Sequence, residues 1–453
     1  MVENSETFRD RPTNLDEMGS RKWVYAKQPK GRLYLYRSAV AWLLLAFLIA
    51  VPFIRVNGHP FVLIDIANRK FILFGAIFWA QDTFILALLM LSFLVFIILF
   101  TVTYGRVWCG WACPQTIFLE MVFRRVEFLI EGDYQTRKGR DEGPFTADKA
   151  FRKTLKHLIF ALIALAMTNT FLMWFIGSDR WFQMVNSPGD HLSSFSIIAL
   201  ISLVFYWIYA FFREQICTMV CPYGRMQGVL LDNDSVVVSY DYRRGEPRGA
   251  KATGDCIDCR RCMAVCPTGI DIRQGSQFEC IHCAACIDEC NIVMKKTGKP
   301  QGLIRYDSYN GIERGHRRLW TARNKAYSAV LILLVGFIAV TLLNRPAIET
   351  TILRTPGMLY QEQPNDAVSN LYNIKIVNKT FEDLQPTLRL ISHDGRLELA
   401  GSNISLESRG LYESVFLLHI PKTELQSGKN DVVFGLFINE NLTEKIKVTF
   451  IAP

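Results

Sequence analysis

The chain has little of what several protein classes require. Only 29 of its 453 residues are glycine and 50% are hydrophobic, so a collagenous or disordered chain is excluded. Its length excludes a small secreted scaffold held together by disulfide bonds. Cysteine and tryptophan are both missing after residue 343, so the chemistry of the 12 cysteines belongs to the first three quarters of the chain.

The formal net charge of +9 is unevenly distributed. Residues 344–453 carry 11 Lys and Arg against 13 Asp and Glu, a net charge of −2, which leaves a net charge of +11 for residues 1–343. This excess comes without any RNA- or DNA-binding motif. We therefore attribute it to membrane topology and expect no nucleic-acid partner.

Five stretches are apolar over about 17 to 22 residues, the length with which a helix crosses a hydrocarbon core of roughly 30 Å. A helix satisfies its own backbone hydrogen bonds in lipid, so we predict a five-helix transmembrane bundle in the bilayer. The apolar stretch 71–80 is too short to span and is predicted to be interfacial or re-entrant. The predicted spans are residues 38–54, 83–103, 155–176, 195–212 and 326–343.

Basic residues are concentrated in alternate loops, which predicts the orientation of the bundle. The counts of Lys and Arg are 8 in residues 1–37, 9 in 104–154 and 18 in 213–325, against 3 in 55–82 and 1 in 177–194. The N-terminal tail and residues 213–325 are therefore predicted to be cytoplasmic. Five crossings then place residues 344–453 on the opposite side of the membrane.

After residue 343 the sequence changes to short alternating runs between turn signals. About seven such runs in roughly 110 residues predict an all-β, immunoglobulin-like sandwich, which without cysteine lacks an inter-sheet disulfide. We expect this domain to bind other proteins. The clearest runs are residues 371–377, 387–392, 414–420, 432–439 and 445–451.

Eight cysteines follow the two-cluster pattern of bacterial ferredoxins. The motif Cys256-x-x-Cys259-x-x-Cys262-x-x-x-Cys266 is followed 14 residues later by Cys280-x-x-Cys283-x-x-Cys286-x-x-x-Cys290. Three closely spaced thiolates surround one cluster, and the following turn carries the fourth cysteine to the other cluster. A zinc ribbon is the competing interpretation, but eight cysteines in register favour two [4Fe–4S] clusters in an α+β module at about residues 250–300.

The predicted ligands form two sets. The first ferredoxin quartet consists of Cys256, Cys259, Cys262 and Cys290, and the second of Cys266, Cys280, Cys283 and Cys286. With four thiolates in each set, His282 is predicted to be solvated or a neighbour of the cluster, without ligating it. Asn291 stands where the second motif usually has proline, and binding should survive because proline donates no ligand. The basic residues Arg260, Arg261, Lys295 and Lys296 are predicted to offset cluster charge or to face an acidic donor protein.

The other four cysteines form two Cys-x-x-x-Cys-Pro motifs, each directly after a predicted spanning helix, so residues 38–212 are an internal repeat. In helical geometry such a pair places both sulfurs on one face, and the proline marks a bend or a new helix. Two thiol pairs suit Cu(I) and could converge on one site, whereas inert packing thiols are the alternative. We predict that this helix-end quartet is catalytic and binds copper: Cys109, Cys113, Cys217 and Cys221.

With these motifs the chain resembles the FixG/RdxA/CcoG family of cytochrome oxidase accessory proteins over nearly its whole length. The resemblance rests on both Cys-x-x-x-Cys-Pro motifs, the ferredoxin cysteines, the fifth helix and the immunoglobulin-like tail. It implies a bacterial inner-membrane protein with a periplasmic C-terminal domain, which assists assembly of the cbb-type haem–copper oxidase and reduces Cu(II) to Cu(I) for it.

The resulting hypothesis is a cupric reductase that passes electrons from a cytoplasmic donor through two [4Fe–4S] clusters to copper at the helix-end quartet. The partners expected are that donor, a copper transporter or chaperone, oxidase assembly factors and the lipid bilayer, and a homodimer is left open. The first four helices also resemble NapH-type quinol dehydrogenases, in which His157 and Glu214 would line a quinol pocket, although interfacial anchoring is favoured for both. A non-enzymatic assembly scaffold is the third interpretation.

Overall fold

The computed structural model describes the chain except for residues 1–17, 19, 20, 57, 67–69, 75, 79–82, 345, 358, 364, 365, 381, 402, 403 and 409. Parts of the predicted cytoplasmic tail and of the apolar stretch 71–80 lie outside the described residues. The chain divides into two compact units, Met1–Ile338 and Ala339–Pro453, and each is described by itself.

Helices dominate the first unit. They are α1 (Arg32–Ala50), α2 (Thr83–Tyr104), α3 (Val107–Trp111), α4 (Pro114–Ile117), α5 (Arg124–Glu131), α6 (Tyr134–Glu142), α7 (Ala147–Ile176), α8 (Ser178–Asn186), α9 (Leu192–Trp207), α10 (Pro222–Leu230), α11 (Tyr242–Gly245), α12 (Arg261–Ala264), α13 (Ala285–Lys296), α14 (Tyr309–Arg314) and α15 (Ala322–Leu343). Three π-helical segments, Phe118–Phe123, Ile208–Phe212 and Ile216–Val220, adjoin these helices near the cysteine motifs.

Helices α1, α2, α7, α9 and α15 lie in segments long and apolar enough to cross a membrane, which confirms the five predicted helices. Large apolar side chains such as Phe93 and Leu333 are exposed on their surfaces, as expected of helices that face lipid. Helices α7 and α9 pack against each other, and the Ser202 hydroxyl donates to the Thr168 hydroxyl across their contact at 3.0 Å.

The aromatic rings of Phe123, Phe160 and Tyr209 form the centre of the bundle at the end that carries the cysteine motifs. Phe123 stacks on Tyr209 with a centroid distance of 4.5 Å and meets Phe160 edge-on at 4.8 Å. Because such ring pairs have a preferred geometry, they fix the relative position of the segments that carry them.

Between the first two spanning helices the chain forms strands β1 (Arg55–Val56), β2 (His59–Pro60), β3 (Leu63–Asp65), β4 (Lys70–Leu73) and β5 (Ala76–Phe78). β1 pairs with β2, and β3, β4 and β5 form an antiparallel sheet. The described part of the stretch 71–80 is therefore strand, where we predicted an interfacial or re-entrant segment.

The ferredoxin-like segment is α+β. Strands β6 (Val237–Tyr240) and β7 (Ile304–Asp307) pair antiparallel on either side of the cysteine motifs, and α12 and α13 each follow a cysteine loop. A single-turn 3-10 helix, Ile272–Gln274, connects the two motifs. Buried Ile272, Met294 and Tyr240 form the core against the cysteines.

The second unit is a two-sheet sandwich, which confirms the predicted all-β domain. Its strands are β8 (Ile348–Arg354), β9 (Gln361–Gln363), β10 (Ala367–Asn378), β11 (Thr387–Leu390), β12 (Arg396–Leu399), β13 (Leu411–Pro421), β14 (Gly428–Ile438) and β15 (Asn441–Ala452). One sheet has the order β12-β13-β10-β8 with β9 also beside β10, and the other has the order β11-β14-β15. The fully buried rings of Tyr372, Phe416 and Phe434 contact one another between the sheets, with centroids 5.4 to 6.0 Å apart.

Candidate metal centre

Two cavities in the ferredoxin-like segment are lined by cysteines, four at one and five at the other. The first ferredoxin quartet lines one cavity, and the second lines the other, which Cys262 also borders. The structure thus brings Cys290 to the cysteines of the first motif and Cys266 to those of the second. Eight thiols around two such cavities fit two [4Fe–4S] clusters, with one thiolate for each iron.

Both cysteine loops use left-handed backbone conformations at equivalent places. Asp258 and Arg260 flank Cys259 with φ values of 55° and 54°, and His282 and Ala284 flank Cys283 with φ values of 51° and 64°. Positive φ is costly for residues other than glycine and persists where the surroundings enforce it. The cost is consistent with tight loops that direct several sulfurs towards one cavity.

Burial makes several of these thiols weak acids in the metal-free protein. It raises the pKa of Cys262 and of Cys290 to about 12, and it raises the pKa of Cys283 in the second quartet. Iron binds thiolates, so cluster insertion must displace protons from these sulfurs. Loading is therefore coupled to pH and to the folding of the loops.

The two Cys-x-x-x-Cys-Pro motifs have the same local structure. Cys109 lies in the short helix α3 and Cys217 in a π-helical segment, whereas Cys113 and Cys221 are extended residues with ψ values of 125° and 112°. The prediction that each pair lies on one face of a continuous helix is wrong, because the chain leaves the helix before the second cysteine. The predicted new helix at each proline is confirmed, since α4 and α10 both begin there.

The four thiols of the helix-end quartet converge although more than 100 residues separate the motifs. Burial, and then the nearby thiols of Cys113 and Cys109, raise the pKa of Cys217 to about 12. Burial also raises the pKa of Cys109 to about 11, although the Gln227 amide donates to its sulfur at 3.4 Å.

The helix-end quartet directly adjoins the second ferredoxin quartet. An added Cβ at Gly110 would lie 2.4 Å from the carbonyl oxygen of Ile281 and 2.9 Å from the Cα of Cys283, so only glycine fits between the two backbones. Cys109 packs into a small apolar cluster with Cys283 and Cys286. The helix-end quartet and the second ferredoxin quartet are therefore in direct packing contact.

Arg106 ties the motifs together from a buried position between them. Its guanidinium donates to the carbonyls of Phe278, just before Cys280, and of Gly224, just after the second Cys-Pro. Its backbone N–H donates to Nδ1 of His282 at 2.8 Å. Burial lowers the pKa of His282 to about 3, so this histidine is a neutral acceptor, and the alternative that it is solvated is wrong.

A buried ion-pair network lies beside the helix-end quartet. Glu127 accepts from Arg213 at 2.6 and 3.1 Å and from Arg137 at 2.8 Å, and all three side chains are at most 3% exposed. Arg124 contacts Glu214 at 3.4 Å and also donates to the Pro267 carbonyl of the ferredoxin-like segment at 2.9 Å. Glu214 is therefore part of this network, which replaces the predicted interfacial anchoring.

The N-terminal segment before α1 is held between the ferredoxin-like segment and the bundle. The carboxylate of Asp288 accepts from the backbone N–H groups of Leu33 and Tyr34 at 3.3 and 2.8 Å and so caps the first turn of α1. Lys27 bonds to Glu289 at 2.5 Å. Because Asp288 lies on α13 between Cys286 and Cys290, these contacts fix the ferredoxin-like segment to the first spanning helix.

Other predicted residues have simpler surroundings. His157 contacts the Tyr206 hydroxyl at 2.9 Å and stacks on Phe211. The side-chain oxygen of Asn291 accepts from the Gly302 N–H at 2.9 Å, which gives this residue a role in its turn in place of proline.

Sequence reasoning missed the buried network, although its signal was present. Glu120, Arg124, Glu127 and Glu131 recur at helical spacing in an otherwise apolar segment, which marks one charged face. Arg106 and Gln227 carried no such pattern, because their partners are distant in the sequence.

Within the described residues, no three His, Cys, Asp or Glu side chains are arranged closely enough to hold a single metal ion, and this holds for all three cysteine quartets alike.

Three family models match the chain. A 4Fe-4S dicluster domain matches residues 212–251 and 246–309, a 4Fe-4S binding domain matches residues 86–131, and a model of the IG-like fold at the C-terminus of FixG matches residues 338–453. Together with the five apolar helices, they define an iron–sulfur redox protein of the membrane.

Individual relatives agree with these matches. Protein RdxA of Cereibacter sphaeroides is 35% identical over 381 residues, which covers 80% of each chain. The nitrogen fixation protein FixG of Rhizobium meliloti is 37% identical over 302 residues, which covers 63% of this chain and 57% of FixG. A crystal structure of a FixG-related protein from Vibrio parahaemolyticus covers 24% of this chain and 97% of its own, with 20% identity and a TM-score of 0.21. The chain belongs to the FixG/RdxA family.

Proposed function

We propose that this protein is a membrane cupric reductase, in which electrons from a reductant pass along the ferredoxin-like segment to Cu(II) at the helix-end quartet. The proposal is carried by one observation: Gly110 and Cys109 of the first motif pack against Cys283 of the second ferredoxin quartet, and Cys217 of the second motif lies near Cys109 and Cys113. When bound, the two [4Fe–4S] clusters would store and pass single electrons.

The donor set favours copper as the substrate. Thiolates are soft ligands that prefer Cu(I), whereas Cu(II) prefers nitrogen and oxygen, so the quartet stabilises the reduced product. Burial raises the pKa of the Cys109 and Cys217 thiols, and a copper ion must displace their protons to bind. Gln227 contacts Cys109 and keeps its sulfur oriented into the site.

The reaction balances as a single-electron transfer. Each Cu(II) gains one electron and becomes Cu(I), and the chain loses the electron that its reductant supplied. No substrate bond breaks, so no general acid or base is required, and none of the titratable side chains beside the quartet is assigned that role.

The test uses anaerobic, iron-loaded full-length protein in detergent that has been reduced with dithionite and freed of excess reductant. Added Cu(II) should reoxidise the protein, seen as loss of its EPR signal, while a Cu(I)-specific chelator reports an equal amount of Cu(I). The variants Cys113→Ser and Cys221→Ser should keep the EPR signal and form Cu(I) at least about tenfold more slowly.

The matched control is Ser202→Ala, a similarly small change in the same bundle at a distance from every cysteine, which should reduce Cu(II) at the wild-type rate. If both serine variants also reduce Cu(II) at the wild-type rate, the helix-end quartet is not the site of reduction and the proposal fails.

A second candidate is favoured by the match of residues 86–131 to a 4Fe-4S binding model. That segment contains only two cysteines, so a cluster there would need Cys217 and Cys221 as well. The quartet would then hold a third cluster that passes electrons to another acceptor, such as a quinone. The iron content per chain would distinguish this candidate. Four iron atoms more than the ferredoxin quartets can bind, together with their loss in Cys113→Ser, would favour it.

The biological setting follows from the family resemblance and is part of the proposal. We place residues 213–325 in the cytoplasm and residues 344–453 in the periplasm on the distribution of Lys and Arg. The product Cu(I) would pass to a copper transporter or chaperone for assembly of the cbb-type oxidase. The immunoglobulin-like unit would contact assembly partners or a second copy of the chain.

A further inference from the structure

The two ferredoxin quartets differ in their access to solvent. All twelve cysteines lie in the described part of the chain, and among them Cys259 of the first quartet is exposed. The second quartet is covered by Gly110 and by Arg106, which contacts the loop before Cys280. A carrier in solution can therefore come close to the first quartet, whereas the second faces the helix-end quartet.

The surface around Cys259 is basic. Arg260 is 71% exposed and is the next residue in the chain. Lys295 and Lys296 end α13 about one turn beyond Cys290, are exposed, and pair with no acidic side chain in the described part of the chain. Arg248 is also exposed and lies 3.5 Å from Glu246, and the adjacent Gly249 N–H donates to the Cys256 carbonyl at 2.8 Å. We call Arg248, Arg260, Lys295 and Lys296 the entry surface.

Acidic residues near the entry surface are already paired. Asp258 bonds to Arg273 at 2.5 Å and lies 3.8 Å from Arg260. Glu289 is buried between Lys27 and Arg261 at 2.5 and 3.1 Å. These ion pairs leave the lysines of α13 without a neutralising partner, so the surface keeps a positive potential towards solvent.

We propose that the entry surface docks an acidic one-electron carrier protein of the flavodoxin or ferredoxin type, so that electrons enter at the first ferredoxin quartet. The inference rests on the proposed function for the direction of flow. In the step the carrier loses one electron and the chain gains one, with no bond formed and no proton required. Positive charge around an exposed redox centre steers an acidic partner to it and fixes its orientation.

The test uses the full-length, iron-loaded chain in nanodiscs of zwitterionic lipid, with flavodoxin as the probe. Binding of oxidised flavodoxin is measured by calorimetry, and reduction of the chain by reduced flavodoxin is followed by stopped-flow absorbance, both without copper. In Lys295→Glu/Lys296→Glu we expect the Kd to rise and the second-order rate constant to fall, each by about tenfold or more, and the salt dependence of both to weaken.

The matched control is Lys138→Glu/Arg225→Glu, the same change of charge at two exposed residues that do not line the ferredoxin cavities. It should leave both constants at wild-type values. The EPR spectra of both variants after complete chemical reduction should match the wild type, which shows that the clusters are intact.

Equal losses in both variants, or no loss in the α13 variant, would overturn the docking proposal. A loss of flavodoxin binding that appears only in nanodiscs that contain anionic lipid would overturn it as well. The outcome is separate from copper chemistry. A chain that fails to accept electrons from flavodoxin can still reduce Cu(II) after dithionite, and a chain inactive towards copper can still bind flavodoxin.

Discussion

The ferredoxin quartets and the helix-end quartet each bring four thiols together, but the backbone does so in different ways. Each of the three holds four thiols, most of them wholly or partly buried, and burial raises the pKa of Cys262, Cys283 and Cys217 among them. The ferredoxin quartets are built by short loops with left-handed residues such as Asp258 and Ala284. The helix-end quartet is built where one helix ends before the second cysteine and a new helix begins at Pro114 or Pro222.

This difference shows which interactions each site depends on. In the ferredoxin loops the local sequence alone places three of the four sulfurs, so the site depends mainly on its own ligands. In the helix-end quartet the two halves meet only because Arg106, the Glu127 network and the Gly110 contact bring distant segments together. We expect substitutions outside the cysteines to perturb the second kind of site more than the first.

The largest effect is expected from losing a ferredoxin ligand. In Cys286→Ser one of four thiols at the second cavity is replaced by a weak ligand, so we expect the chain to lose about half of its ferredoxin iron and the EPR signal of one cluster. The measurement is iron content together with EPR of reduced protein. Cys217→Ser is the comparison and should keep all of that iron. An equal loss of iron in both would remove the distinction between the two regions.

A smaller but still large effect is expected at the buried network. Glu127→Gln leaves Arg213 and Arg137 without their shared carboxylate, and breaking a buried ion pair in this way costs about 3–5 kcal/mol. The apparent stability in detergent should fall accordingly, whereas Glu142→Gln, at a carboxylate that is 68% exposed, should change it by less than about 1 kcal/mol. Equal stability of the two variants would show that the network does not hold the helix ends.

The same network predicts a pH dependence. Burial raises the pKa of Glu127, but pairing with Arg213 and the charges of Arg137 and Lys156 together outweigh burial and lower the pKa from 4.5 to about 2. A lowered folded-state pKa stabilises the fold fully above the unfolded-state value, and this contribution is lost as the pH falls from about 4.5 to about 2. The stability difference between the wild type and Glu127→Gln should therefore shrink across that range, and a constant difference would contradict the assignment.

The smallest effect is expected at the contact between the two regions. Gly110→Ala places a methyl group 2.4 Å from the backbone of Ile281, and overpacking of this kind costs about 1–3 kcal/mol. Electron transfer from the ferredoxin-like segment to copper should slow, while the iron content stays unchanged. Gly139→Ala has open space in α6 and should be neutral or slightly stabilising. Wild-type transfer in Gly110→Ala would show that this contact is not the route.

The sequence predicted the elements that are specified locally. Apolar length located the five spanning helices. The predicted start of α7 was eight residues too late, since the helix begins at Ala147. Its first turns carry Lys149, Arg152 and Lys153, which lower the hydropathy there. Alternation located five strands of the second unit but not β8 and the short β9 and β12, which contain several polar residues.

The sequence could not predict features that arise from contacts between distant segments. Spacing gave the pairs Cys109/Cys113 and Cys217/Cys221, but not that they converge or that Gly110 meets Ile281. A regular helix was the natural expectation for a Cys-x-x-x-Cys pair, and the π-helical segment at Cys217 overrides it. The role of Arg106 depends on carbonyls more than 100 residues away and leaves no local pattern.

The cap on α1 has a consequence for how the protein is made. The start of that helix is translated first, yet Asp288, which accepts from Leu33 and Tyr34, is translated about 250 residues later. Asp288 is carried by the helix that also holds Cys286 and Cys290. The cap on the first spanning helix is therefore completed by the last of the iron-binding motifs to be translated.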